Sequence, residues 1–257
     1  MNIFRKLLLS SLCLSLLVSQ SSRAQTADAV IAKYVAALGG KEKLQSIHSI
    51  YQEGVAVMQN GTEIDSKNWK VQGKLYRQEI AFGMGSVVVI VTPAQGWSSN
   101  PRDGGAYKPM TAEQLKSLQW ELDCTSPLVD YAAKGNKVEL TGSDTVRGNE
   151  CDKLKLTFPS GEYIAYSIDK KSGYVLRESR KVGNMMGGGG GNAGGGGRRG
   201  GNPNGEFVIE YNDYTKTADG YIFPYTVIAG GFGAKTSVEK LEVNKNVDVT
   251  ALGKPAN

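Results

Sequence analysis

An alternation of apolar and polar residues with a period of two runs through much of this chain and restricts its fold most strongly. In the second half, Leu154, Leu156 and Phe158 alternate with Lys153 and Lys155. The strands predicted there are Val138–Leu140, Cys151–Phe158, Glu162–Ile168, Tyr174–Val182, Glu206–Tyr214, Tyr221–Ile228 and Lys235–Val243. Antiparallel strands in this number curl or close, which predicts a large curved sheet or barrel.

Two helices precede the strands of the first half. Thr26–Leu38 repeats apolar residues at helical spacing, and Lys41–Ile47 predicts a second, shorter helix. From His48 the period changes to two, and an Asn-Gly pair supplies a hairpin turn. The strands that follow are Glu63–Val71, Leu75–Ala81 and Gly85–Thr92. The run Val87–Val91 is apolar at every position, so it predicts a strand covered on both faces or lining a cavity.

Short helices are predicted between the two sets of strands. Thr111 and Gln114 have capping-box spacing ahead of an apolar stretch that ends at Trp120. Ser126–Lys134 begins with Ser-Pro, which is typical of a helix start. The chain is therefore predicted to be α+β, with these helices forming a plug or lid on the sheet.

The first 24 residues have the form of a secretory signal peptide. Arg5 and Lys6 precede the apolar run Leu7–Val18, and cleavage is predicted after Ala24. Cys13 lies inside the apolar run rather than at a lipoprotein cleavage site. Cleavage leaves one domain, residues 25–257, with 27 basic and 25 acidic residues and a net charge of +2. This balance gives no reason to expect a nucleic-acid partner, and the mature chain has no apolar run long enough to span a membrane.

Two cysteines, Cys124 and Cys151, remain after cleavage. In an oxidising compartment an isolated pair is more often a disulfide than a metal site, so a bridge between them is the favoured interpretation. The single histidine, His48, excludes a multi-histidine metal site, and no nucleophile elbow accompanies it. We therefore predict no catalytic residue, no metal, no cofactor and no enzymatic activity.

A tract that is mostly glycine occupies residues 184–205. It lacks the Gly-Lys-Ser/Thr of a phosphate-binding loop, and its one arginine pair is too little for an RNA-binding segment. A flexible hairpin tip between two strands requires no special sequence motif, so it is the favoured interpretation.

Aromatic residues on the predicted strands and lid helices suggest a cavity. An ordinary core accounts for most of them, whereas a curved sheet under a helical lid would leave an apolar pocket. The residues predicted to line such a pocket are Trp69, Tyr76, Val89, Trp120, Leu128, Tyr131, Leu156 and Tyr166.

Short motifs in a fixed order extend over nearly the whole mature chain. They are Ala29–Leu44, Ser126–Tyr131, Val138–Gly142, Val146–Thr157, Tyr166–Gly173, Tyr211–Tyr214, Gly220–Tyr225 and Val243–Asp248. In this order they resemble the secreted outer-membrane lipoprotein-sorting-like proteins common in Bacteroidetes, of the LolA/LolB-like superfamily.

The resemblance implies an incomplete antiparallel β-barrel with helices filling its open side. It also implies a periplasmic or outer-membrane-associated protein that binds a lipid acyl chain or a lipoprotein in its concave face. It carries over no individual binding residue. An envelope sensor or interaction module with a protein partner is the alternative, and a secreted hydrolase is the third.

Overall fold

The computed structural model describes residues 26–58, 61–83, 85–181, 206–229 and 234–255. The predicted signal peptide and the glycine-rich tract lie outside these ranges. The helices are α1 (Ala27–Ala37), α2 (Lys41–Gln45), α3 (Ala112–Leu118) and α4 (Val249–Leu252). The strands are β1 (Ser49–Val57), β2 (Glu63–Val71), β3 (Leu75–Phe82), β4 (Gly85–Val91), β5 (Gly96–Ser99), β6 (Lys108–Pro109), β7 (Lys137–Val146), β8 (Asn149–Thr157), β9 (Tyr163–Asp169), β10 (Val175–Lys181), β11 (Glu206–Lys216), β12 (Ile222–Ala229) and β13 (Ala234–Val243).

All thirteen strands form one antiparallel sheet in the order β6-β5-β4-β3-β2-β1-β13-β12-β11-β10-β9-β8-β7. Each half of the chain makes a run of neighbouring strands, and β1 and β13 join the two runs along a shared register. Within the described residues, β6 and β7 remain the two outer edges and do not pair with each other. The sheet is therefore an open, curved half-barrel, and the predicted fold is confirmed.

Local sequence signals account for where the helices begin. The Thr26 hydroxyl accepts a hydrogen bond from the Ala29 backbone N–H at the start of α1. At the start of α3, Thr111 and Gln114 form the predicted capping box in both directions. A 3-10 turn, Gln119–Leu122, continues from α3 into the middle of the chain.

The helix predicted at Ser126–Lys134 is wrong, because this segment folds as consecutive turns. Asp130 has a φ of 52°, a left-handed conformation that cannot continue an α-helix. Its carboxylate is held from α2 by Lys41 at 2.5 Å and by the Gln45 side-chain amide at 2.6 Å. These contacts from a distant part of the sequence favour the turn over the local helical pattern.

Buried apolar clusters lie on both sides of the sheet. The largest cluster packs α1 and the Leu128–Val129 turn against β8 and β9. A second cluster packs Leu118 and Leu122 onto Val89 and Val91 of β4. The opposite side of β4 packs against the C-terminal residues, with Ile90 in the same cluster as Leu252. Of the two predictions for the run Val87–Val91, cover on both faces rather than a cavity lining is the one that the structure shows for residues 88–91.

Cys124 and Cys151 are both buried free thiols, which corrects the predicted disulfide. The Cys124 backbone N–H donates to the side-chain oxygen of Gln72 in the β2–β3 turn. Cys151 lies at the start of β8, where its thiol donates to the Asn149 carbonyl. The two cysteines are thus held by different hairpins, a separation that a cysteine count cannot reveal.

We expect the Cys124 and Cys151 peptides of unreduced, denatured protein to carry an alkylating label. In native protein at pH 8 the labelling should be slow, because burial raises the pKa of each thiol to about 11. Peptide mass mapping measures both results, and a disulfide-linked peptide pair would contradict the structure.

Candidate functional site

A cavity of about 360 Å³ lies between the concave face of the sheet and the elements that cover it. Alternate residues of β1 and β2 form part of its floor, including Ile50, Gln52 and Asn68. The cover comes from α1 and α2, through Tyr34 and Leu44, and from the connection 120–127. The cavity therefore occupies the hollow of the half-barrel.

Apolar and aromatic side chains make up much of the wall. Trp120 reaches in from the cover and stacks on Phe158, with ring centroids 5.8 Å apart. Tyr76 and Tyr166 face the hollow from β3 and β9, on opposite runs of the sheet. Binding of an apolar guest would remove these surfaces from water, which is energetically favourable.

Five charged residues line the hollow, and one of them, Asp123, pairs with Lys134 at 2.5 Å. The other four form a cluster, which we call the buried ion cluster: Lys70, Glu121, Glu178 and Arg180. Lys70 Nζ lies 2.7 Å from Glu121 Oε2, and an Arg180 guanidinium nitrogen lies 3.0 Å from Glu178 Oε1. A weaker contact of 3.8 Å joins Arg180 to Glu121. The cluster thus connects β2 and β10 to the cover, and its two positive and two negative charges balance.

Arg180 is almost as enclosed as Glu178, whose side chain is 10% exposed. The Arg180 side chain is 12% exposed, and its guanidinium lies 5.1 Å from the centre of the Trp120 ring. Burial would lower its pKa, but Glu178 and Glu121 raise it by more. Arg180 therefore remains a cation inside the hollow.

Five tyrosines with raised pKa values lie around the cluster and form part of the cavity wall. Burial raises the pKa of Tyr34 to about 12 and holds the pKa of the others well above the usual value of 10. The others are Tyr76, Tyr166, Tyr211 and Tyr214. These phenols stay protonated, and the Tyr211 hydroxyl donates to Glu178 at 3.1 Å. Apart from the ion cluster and Asp123, which pairs with Lys134, the hollow is thus lined by neutral groups.

Three of the residues predicted to line a pocket lie on the cavity wall: Tyr76, Trp120 and Tyr166. Trp69 faces the convex side, because its neighbours Asn68 and Lys70 face the cavity, and it stacks on Tyr51 with centroids 5.1 Å apart.

The other predicted lining residues lie away from the cavity. Val89 packs under α3, and Leu128 and Leu156 are fully buried in the main core. The Tyr131 hydroxyl donates to Asp28 near the start of α1. His48 is exposed at the start of β1, and no cluster of His, Cys, Asp or Glu in the described ranges could hold a metal.

Sequence reasoning missed the buried ion cluster. A signal was present, because Glu178 pairs with Tyr166 across the β9–β10 hairpin and so shares its face. Arg180, two residues further along the strand, must then face the same hollow.

The chain is similar to known proteins in its three-dimensional structure. No protein-family model and no curated protein sequence matches the chain. A LolA superfamily protein from Nitrosomonas europaea aligns with 89% of this chain and 98% of its own, at 8% identity and a TM-score of 0.51. A DUF1329 family protein from Desulfovibrio piger aligns over 88% of this chain and 98% of its own length, at 14% identity and a TM-score of 0.51.

A putative outer membrane lipoprotein-sorting protein domain from Vibrio parahaemolyticus aligns with 87% of this chain and 94% of its own, at 12% identity and a TM-score of 0.47. The chain therefore has a fold similar to that of the LolA superfamily protein and the DUF1329 family protein. No helix in the described residues combines the length and the hydropathy needed to span a membrane.

Proposed function

We propose that this chain is a cell-envelope protein that binds the acyl chain of a lipid or lipoprotein in its hollow and catalyses no reaction. The cavity under the helices carries the proposal, because it lies where a half-barrel of this fold can enclose a guest. The predicted signal peptide supports an envelope location.

The size of the hollow supports one acyl chain per protein. Its volume of about 360 Å³ lies at the lower end of the range for small-molecule sites. Each methylene that leaves water contributes about 0.8 kcal/mol, so a chain of ten carbons supplies ample affinity even after the cost of immobilising it.

The cover over the hollow has a part that polar links hold in place. The connection 120–127 is held by polar links that can open and reform, such as Lys134 to Asp123 at 2.5 Å and Lys70 to Glu121 at 2.7 Å. We infer that this connection, together with α3 and the turns at Ser126–Lys134, moves to admit the chain. No disulfide restrains it.

A bulky residue in the floor should abolish binding. We expect isothermal titration to show that decanoic acid, its glycerol monoester or both bind wild-type protein at one per chain. Ile50→Trp should weaken that binding at least tenfold, because the indole would occupy the hollow.

Val57→Trp is the matched control, since Val57 lies on the same strand and is 47% exposed. It should bind like wild type. The proposal fails if neither amphiphile saturates the wild-type protein, or if Ile50→Trp binds as well as Val57→Trp.

A further inference from the structure

The charges that line the hollow are already paired, because Asp123 pairs with Lys134 and the buried ion cluster holds two charges of each sign. Lys70 and Arg180 each face a carboxylate, from Glu121 and Glu178, and no member of the buried ion cluster is left as an excess charge. An anionic ligand bound there would add one uncompensated negative charge to a poorly solvated site, which is strongly unfavourable. The cluster therefore disfavours a free carboxylate as the polar end of the guest.

Three buried polar atoms of the wall have no hydrogen-bond partner. They are the side-chain oxygen of Asn68, Oε1 of Glu178 and Nε of Arg180. Oε1 of Glu178 forms its ion pair with Arg180 at 3.0 Å, but not with hydrogen-bond geometry. Two acceptors and one donor are thus available to a guest, and buried polar groups normally find partners.

The surrounding floor has the same neutral polar character. Gln52, Asn68 and Gln78 are direct cross-strand neighbours on β1, β2 and β3, and all three line the cavity. This row of amides offers both donors and acceptors. The row lies beside the aromatic wall, so the amides can bind the polar end of an amphiphile while the aromatic side chains bind its apolar end.

Resting on the proposed function, we propose that the hollow selects an amphiphile with an uncharged head that carries hydroxyl groups and an acceptor oxygen. Hydroxyl groups donate to the Asn68 oxygen and to Glu178, and an ester or hydroxyl oxygen accepts from Arg180 Nε. A carboxylate supplies acceptors only and leaves both oxygens unpaired. A glycerol monoester is the simplest ligand of this class.

Three decanoyl compounds, each titrated below its micelle concentration at pH 7.5, separate the contributions. The glycerol monoester has donors and no charge, the methyl ester has neither donors nor charge, and decanoic acid has charge without donors. We expect the glycerol monoester to bind at least tenfold more tightly than the other two. Equal affinities, or tighter binding of the acid, would overturn this inference and leave the proposed function standing. Absence of binding by all three would overturn both.

Asn68→Leu tests the assignment to a residue. It should reduce the preference for the glycerol monoester over the methyl ester at least fivefold, because one acceptor for the head is lost. Asn212→Leu is the matched control, since Asn212 lies on β11 outside this cavity wall, and it should keep the full preference. An unchanged preference in Asn68→Leu would overturn the assignment.

Discussion

Arg180→Met is expected to destabilise the protein by about 3–5 kcal/mol, as removal of one partner from a buried ion pair does. The substitution leaves Glu178, whose side chain is only 10% exposed, without the cation that lies 3.0 Å away. Glu121 keeps Lys70 and loses its weaker contact with Arg180. Urea unfolding at pH 7 measures the loss.

Two further variants distinguish a buried charge from a general effect of losing an arginine. Arg177→Met lies on the same strand, where Arg177 binds Glu210 and Asp144 on the outer side and is 30% exposed, so a smaller loss of about 1 kcal/mol is expected. Adding Glu178→Gln to Arg180→Met should recover much of the stability, since the unpaired carboxylate is gone. A cost for Arg180→Met no greater than that of Arg177→Met would contradict the buried ion cluster.

Stability should fall steeply above pH 10. In the unfolded chain the five cavity tyrosines ionise near pH 10, whereas burial keeps them protonated in the folded protein, and the pKa of Tyr34 is raised to about 12. The unfolded state therefore binds fewer protons than the folded state above pH 10, and the free energy of unfolding decreases as pH rises.

The losses from these tyrosines act in the same direction, so by pH 11 they should remove a large part of the free energy of unfolding of a typical domain. Urea unfolding at pH 8, 10 and 11 measures this decrease in the free energy of unfolding. The absorbance of tyrosinate, which should rise as the protein unfolds at high pH, provides a second readout. Tyr34→Phe should reduce the decrease in the free energy of unfolding between pH 8 and pH 11 by the contribution of that one tyrosine. A free energy of unfolding that stays constant to pH 11 would contradict the burial of these phenols.

The fold was predictable because its signals are local. Alternation in Lys153–Phe158 predicts a strand with one buried face, and the structure places Leu154 and Leu156 in the core. Capping at Thr111 fixes the start of α3 from four residues. Hairpins join neighbouring strands, so an ordered series of such segments already implies an antiparallel sheet.

The features that failed depend on contacts between distant residues. Asp130 leaves the helical conformation while its carboxylate is held by Lys41 and Gln45 of α2. The free thiols of Cys124 and Cys151 likewise depend on the tertiary packing, because Cys124 lies in the connection 120–127 and Cys151 lies on β8.

The cavity wall was predictable only in part, for a physical reason. Aromatic and aliphatic residues serve a solid core and a cavity equally well, so Leu128 and Tyr76 could not be told apart by composition. Charged residues are normally exposed, which directs attention away from Glu178 and Arg180. Strand register supplies the missing information, because it shows which residues share the concave face.

A crystal structure of the protein with a glycerol monoester whose acyl chain ends in bromine tests the central claim most directly. We predict a single anomalous bromine peak inside the hollow, among Tyr76, Trp120 and Tyr166. A peak on the convex face of the sheet, or a hollow filled by the protein's own side chains in ligand-saturated crystals, would contradict the account.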